Sequence, residues 1–139
     1  FIQPNQKLRE EGVRIKLNPL KETIKGKRVI IIDDSIVRGT TSKRLVEILR
    51  QAGATEVHFR VTSPPVAHTC HFGIDTPRRK YLIGAKKTVE EIRDILGADS
   101  LAYISLDGLT ESVGGKTTFC RACFDGEYPM EVPILNAND

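Results

Sequence analysis

The sequence predicts an α/β fold, a parallel sheet flanked by helices, with an irregular C-terminal tail. Two observations carry this. The unbroken apolar run Val29-Ile30-Ile31-Ile32 reads as a strand covered on both faces, the usual state of a parallel sheet. Behind it, Leu45, Val46, Ile48, Leu49 and Ala52 fall on one helical face, and Gly53 supplies a C-terminal stop. Strand, loop and helix thus follow one another, as a crossover unit requires.

Upstream of this unit, Asn18-Pro19 interrupts any helix and Lys25-Gly26-Lys27-Arg28 reads as a polar turn, so residues 17–28 are expected to form a linker. Downstream, Val57-His58-Phe59-Arg60-Val61-Thr62 alternates at period two, marking a second strand near an edge of the sheet, and Pro64-Pro65 ends it. His58 lies on the polar side of the alternation and reads as a surface residue without a role. Thr88-Val89-Glu90-Glu91 has capping-box order, and Val89, Ile92, Ile95 and Leu96 form the apolar stripe of a second helix that Gly97 closes. Leu101–Ser105 reads as a third strand and Leu106–Leu109 as the turn that leaves it. From Gly114 onward neither helical nor strand periodicity is sustained.

Composition narrows the class. A chain of 139 residues buries one core. No apolar run approaches the ~20 residues of a membrane span, and the start lacks the charged-then-apolar order of a signal peptide, so a cytoplasmic protein is expected. The formal net charge of +3 is too small to argue for nucleic acid. It is unevenly placed, since residues 1–28 hold eight Lys/Arg against Glu10, Glu11 and Glu22. A flexible basic arm of this kind serves as a solvated linker, a nucleic-acid contact or a cover for an anionic substrate.

The candidate site sits where the first strand ends. Asp33 and Asp34 would stand at the carboxyl edge of the sheet, where open α/β folds bind ligands. Gly39, Thr40, Thr41 and Ser42 have small side chains, so backbone N–H groups, three hydroxyls and a helix N-terminus can approach a phosphate monoester. The carboxylates would repel that phosphate, but they suit sugar hydroxyls or Mg²⁺. Ribose 5-phosphate meets both requirements. Taken singly, Asp-Asp also caps ordinary turns and Thr-Thr-Ser is an ordinary N-cap.

The run Val29–Ser42 resembles the phosphoribosyl-pyrophosphate (PRPP) signature of the type I phosphoribosyltransferases. Further stretches resemble the amidophosphoribosyltransferase family within them: Phe1-Ile2-Gln3-Pro4 with Gly12-Val13-Arg14, Ser63-Pro64-Pro65 with Gly73-Ile74-Asp75, and Glu90-Glu91-Ile92-Arg93 with Ile95, Gly97, Ala98 and Asp99. The resemblance covers nearly the whole chain. It implies a type I phosphoribosyltransferase-like fold, incomplete at the N-terminus because Phe1 would fall inside a loop that closes over PRPP, with the transferase domain at 29–113 and a cysteine-containing tail at 114–139. It implies the first step of de novo purine synthesis, in which ammonia from glutamine attacks C1 of PRPP, expels pyrophosphate and leaves 5-phosphoribosylamine. Asp33 and Asp34 would hold the ribose hydroxyls and Mg²⁺, Arg38–Ser42 would hold the 5-phosphate, Ser35 would also bind PRPP, and Arg14 and Lys16 would lie near the pyrophosphate. No side chain acts as a nucleophile. Glutamine hydrolysis would belong to an N-terminal glutaminase domain outside this chain, the isolated chain would be inactive, and the enzyme would be a homo-oligomer without nucleic-acid or membrane partners. The alternatives are a transferase that attaches a base to PRPP and a non-catalytic PRPP-binding regulator.

Three cysteines remain, Cys70 and the C-x-x-C pair Cys120 and Cys123. An odd count argues against a disulfide framework, and the residues alone leave free thiols, a redox pair, zinc or an iron–sulfur cluster open. His68 and His71 flank Cys70, a spacing that also suits histidines that are solvated or bonded to backbone. The resemblance implies a [4Fe–4S] cluster held by Cys70, Cys120 and Cys123, with the fourth ligand outside this chain.

Overall fold

Arg28–Asp33 forms the first strand, β1, and it pairs in parallel with β2 (Glu56–Val61), which pairs in parallel with β3 (Ser100–Tyr103). The computed structural model describes residues 19–115 and 118–132. Around the sheet run α1 (Lys21–Ile24), α2 (Thr40–Gln51), α3 (Val89–Leu96), α4 (Leu106–Ser112) and α5 (Ala122–Asp125). The register sets Asp33 opposite Val61 and Val61 opposite Tyr103, so the carboxyl ends of all three strands finish level. β2 is therefore the central strand, not an edge strand. Its period-two alternation arises because the helices cover only one face of the sheet.

That face holds the core. Val57, Phe59 and Val61 of β2 pack with Val46 of α2, Ile92 and Leu96 of α3, and Ile36 and Ala54 from the loops. Phe59 and Val57 are fully buried. Burying a side chain of this size stabilises the fold by roughly 1.5–3 kcal/mol, so this cluster anchors the sheet.

On the other face the expectation for β1 fails, since Ile30 is 63% exposed and Ile32 is 72% exposed. A Val/Ile run announces apolar surface on both sides of a strand without saying what covers each side. Among the described residues nothing covers this one. Beside the two isoleucines runs a polar chain across the strands: Glu56 accepts from Arg28 at 2.7 Å and pairs with His58 Nε2 at 2.8 Å, and His58 Nδ1 meets Ser100 Oγ at 2.8 Å. His58 is thus bonded and half-buried, not solvated.

Local boundaries also differ. The expected linker contains a helical turn, Lys21–Ile24, entered just after Pro19, a residue tolerated at helix starts. The third strand ends at Tyr103. Ser105 then caps α4 by accepting from the amide of Gly108 at 3.0 Å, so Leu106–Leu109 begins a helix where a turn was expected. In α3 the capping box forms as read: Thr88 Oγ1 accepts from the amide of Glu91 at 3.2 Å, and Glu91 Oε2 accepts from the amide of Thr88 at 2.8 Å. At the helix end Gly97 adopts φ 73°. Next to it Asp99 Oδ2 accepts from the Val57 amide and from Arg50, each at 2.6 Å, tying the starts of β2 and β3 to the end of α2. Among the described residues no helix is long and apolar enough to cross a membrane.

Candidate functional site

β1 delivers Asp33 to the carboxyl edge of the sheet. There the main-chain oxygen of Asp33 accepts from the Thr62 amide at 2.9 Å and from its hydroxyl at 3.3 Å, which fixes the strand end. Asp33 is half-buried and Asp34 is exposed. The Asp34 amide donates to Asp33 Oδ1 at 3.0 Å. Burial raises the Asp33 carboxyl above its ordinary 3.8, and the hydrogen bond and negative charge of Asp34 push the same way against the backbone bond that lowers it. The two carboxylates therefore stand where a second positive group would relieve both burial and repulsion.

From Asp34 the chain turns through Ile36, which is buried at 1% exposure, and reaches Gly39 at φ 80°. Only glycine suits that place. Its backbone is left-handed, and a Cβ would come to 3.1 Å from Ile83 Cδ1 and 3.7 Å from Leu96 Cδ2. The Ile83 amide also donates to the Val37 oxygen at 2.9 Å, pinning the turn to the core. α2 begins at Thr40, earlier than the apolar periodicity implied, so Thr40, Thr41 and Ser42 are its first turn. No side chain caps it and no acidic residue lies in that turn. The first amides of a twelve-residue helix are thus offered to whatever lies beyond Gly39, with the positive end of the helix dipole behind them. Thr40 and Thr41 are exposed, whereas Ser42 is buried and Ser35 half-buried. Arg38 is exposed and lies over the ring of Tyr81 at 5.8 Å. Asp33, Asp34, Ser35 and Arg38–Ser42 thus form one contiguous loop at the edge of the sheet. Arg14, Lys16 and the rest of the basic arm lie outside the described residues.

The cysteines lie elsewhere, where residues 118–132 return to the segment after β2. The amides of Ala67 and His68 donate to the Cys123 oxygen at 3.0 and 3.1 Å, and Tyr128 Oη donates to the Thr69 oxygen at 2.7 Å. All three thiols are free, Cys120 exposed and the other two half-buried. Burial is the largest cause that raises the Cys123 thiol, and charge on Cys70 and Cys120 adds to it. The three are not closed into a ligand set: among the described residues no three His, Cys, Asp or Glu side chains are grouped to hold a metal ion. His68 and His71 are taken up by packing, His68 beside Gly126 and His71 edge-on to Tyr128 at 5.2 Å between ring centroids.

Residues 3–68 match the phosphoribosyl transferase domain family. The chain is 57% identical over 134 residues to the amidophosphoribosyltransferase of Synechocystis sp., covering 96% of this chain and 27% of that protein. It is 53% identical over 137 residues to the amidophosphoribosyltransferase of Bacillus subtilis, covering 95% and 29%. The solved glutamine phosphoribosylpyrophosphate (PRPP) amidotransferase from B. subtilis, complexed with ADP and GMP, superposes with a TM-score of 0.80 at 52% identity, over 96% of this chain and 30% of that one. Residues 3–68 thus carry a phosphoribosyl transferase domain match, and the fold is the one seen in that solved amidotransferase. It spans less than a third of the length of the curated relatives it matches.

Within this fold the parallel sheet, the flanking helices and the loop after β1 lie where sequence reasoning put them. Three residues near the loop escaped that reasoning. Thr62 holds the strand end, and Tyr81 packs against Arg38 from a short 3₁₀ turn, Arg79–Tyr81, that no periodicity announces. Tyr103 ends β3 level with Asp33; its hydroxyl is buried without a partner among the described residues, and burial pushes its pKa up to about 12. The Pro-Pro ending β2 marked where a loop starts, but nothing marked which of its residues would turn back toward β1.

Proposed function

We propose that this chain is the PRPP-binding part of an amidophosphoribosyltransferase, the enzyme that forms 5-phosphoribosylamine from PRPP and glutamine-derived ammonia. The observation that carries the reading is the loop itself: a half-buried carboxylate at the end of β1 is followed by a glycine in a left-handed conformation and then by the start of α2, whose N-cap offers no side chain. Identity above 50% to proteins of that name supports it.

In this reading the amides of Thr40–Ser42 and the hydroxyls of Thr40 and Thr41 bind the 5-phosphate, helped by the helix dipole. Arg38 adds positive charge at the same turn. Asp33 and Asp34 accept hydrogen bonds from the ribose hydroxyls, and their oxygens are the donors a divalent cation prefers, so the pair suits Mg²⁺. When bound, Mg²⁺ would neutralise charge on the pyrophosphate leaving group. The chain's own part is to orient the sugar and bring C1 within reach of ammonia, because departure of pyrophosphate requires positioning and charge stabilisation more than a nucleophilic side chain. Arg14, Lys16 and the basic arm would cover the pyrophosphate and exclude water. Glutamine hydrolysis falls to a glutaminase domain outside this chain, and the whole enzyme would act as a homo-oligomer in the cytoplasm.

Cys70, Cys120 and Cys123 would hold a [4Fe–4S] cluster with a fourth ligand outside this chain. Thiolates are the donors an iron–sulfur group takes, although among the described residues the three are not closed into a metal-ion ligand set. Such a cluster would serve structure or oxygen sensing, not the transfer chemistry.

The test is PRPP binding to the full-length protein by calorimetry. Asp33→Asn combined with Asp34→Asn is expected to weaken PRPP at least tenfold, about 1.4 kcal/mol, and to abolish its Mg²⁺ dependence. Affinity within about twofold of the parent protein would refute the assignment.

A further inference from the structure

The tail that carries Cys123 is tied to residues 67–71 by contacts that involve no sulfur atom. The Cys123 oxygen receives two amides, those of Ala67 and His68. Five residues later the Tyr128 hydroxyl donates to the Thr69 oxygen, and its ring packs against His71. Between these ties stands Gly126, at φ 78°, ending the four-residue α5. A Cβ there would lie 2.8 Å from His68 Cε1, 3.1 Å from Nε2 and 3.2 Å from Nδ1, so the imidazole occupies the space a side chain would need. On the tail's far side Arg121 donates to Thr110 Oγ1 at 3.3 Å and pairs with Asp125 at 3.7 Å, linking it to α4.

From this arrangement we infer that Gly126 and Tyr128 are positioning residues: they clamp the C-x-x-C tail onto residues 67–71 and so hold Cys123 against the segment that carries Cys70 before any metal binds. The inference rests on reading the three cysteines as one inorganic site, and extends it by saying what holds the site together. The clamp contacts are backbone hydrogen bonds, a tyrosine hydroxyl on a backbone oxygen and packing against the His68 and His71 rings, so none depends on the protonation or ligation of a thiol. Gly126 sets how closely the tail can lie, because any side chain would need a left-handed backbone and would displace His68, which stands two residues before Cys70. Tyr128 sets the register, because its hydroxyl reaches the residue adjoining Cys70. A clamp of this kind limits the ordering left for the metal to impose, and so favours loading a site whose donors come from distant parts of the chain.

The experiment uses the full-length protein stripped of metal under anaerobic conditions. Amide exchange is read at Ala67 and His68, the two donors to Cys123, and the alkylation rate of the Cys123 thiol is followed by mass spectrometry. The parent protein is expected to protect both amides without metal. Tyr128→Phe should raise both rates about fivefold, the effect of losing one hydrogen bond. Gly126→Ala should raise them at least tenfold, reflecting both the left-handed strain and the contact with His68. Protection of β1, β2 and β3 should stay at the parent level in both variants. Unprotected Ala67 and His68 amides in the metal-free parent, or unchanged rates in Tyr128→Phe, would overturn the inference. Iron and sulfide analysis of the native enzyme separates this from the cluster assignment: absent iron with an intact clamp refutes the cluster alone, whereas iron present with an open metal-free tail refutes the clamp alone.

Discussion

The loop after β1 and the clamp around the cysteines are built on the same device and differ in what surrounds it. Each turns on a glycine at positive φ pressed against a side chain from another segment, Gly39 on Ile83 and Gly126 on His68. Gly39 stands over core residues, since its neighbour Leu96 is 1% exposed and belongs to the central cluster. Gly126 stands over a half-buried histidine at the rim. The loop is also contiguous, all its candidate ligands lying within Asp33–Ser42, whereas the clamp joins residues 67–71 to residues 121–128. A site made of neighbours in sequence inherits its rigidity from the core element that carries it. A site made of distant segments has only its own contacts, and its stability is local.

The largest effect that follows is the contrast between the two glycines. Gly39→Ala places a methyl group in a left-handed backbone and 3.1 Å from Ile83 Cδ1. Strain of about 1–2 kcal/mol and overpacking of about 1–3 kcal/mol add to a loss of roughly 3 kcal/mol in global unfolding by denaturant. Gly126→Ala meets a tighter contact, yet the tail can lift away, so global stability should fall by no more than about 1 kcal/mol while the tail opens. Equal losses of global stability in the two variants would break the comparison.

The same contrast governs how much the sequence disclosed. Asp33, Asp34 and the Gly39–Ser42 turn were legible because an apolar run, two acids and a small-residue turn stand in consecutive order and local rules act on consecutive residues. The capping box of α3 was legible for the same reason. What escaped depended on the third dimension. The exposure of Ile30 and Ile32 could not be read, because a Val/Ile run looks the same whether one face or both are covered. Tyr81 beside Arg38, Thr62 on Asp33 and Gly126 against His68 are meetings of separate segments with no periodic signal. The helix at Leu106–Ser112 was missed for a smaller reason: Ser105 is a good N-cap, but Gly108 in the first turn made the stretch look like a turn.

A mid-sized effect tests whether the end of the sheet opposite the loop is stabilised independently of it. Asp99 accepts from the Val57 amide and from Arg50, and the first of these is the main cause that lowers its pKa. Asp99→Ala removes both bonds and is expected to cost about 1–2 kcal/mol in unfolding, with PRPP affinity unchanged. A matching loss of PRPP affinity would show that the loop does not draw its rigidity from the core alone.

The smallest effect is the most specific, because Asp33 and Asp99 should respond to pH with opposite signs. The folded pKa of Asp99 lies below its unfolded value, so its contribution is fully present above the unfolded value and is lost as pH falls through the folded one. For Asp33 the folded pKa lies above the ordinary 3.8, so the folded protein disfavours the charge. Its penalty is complete above the folded value and disappears as pH falls toward the unfolded one. Asp33→Asn, which keeps an oxygen to accept from the Asp34 amide, should therefore leave thermal stability at neutral pH unchanged or raise it by up to about 0.5 kcal/mol, while PRPP binding weakens. In the parent protein, PRPP affinity should begin to fall at a higher pH than an ordinary aspartate would dictate, since protonation removes the charge that the ligand needs. Thermal melts of Asp33→Asn and Asp99→Ala across the acid range, set beside a pH series of PRPP calorimetry, measure both. A clear loss of neutral-pH stability in Asp33→Asn would mean that its carboxylate serves the fold and not the ligand.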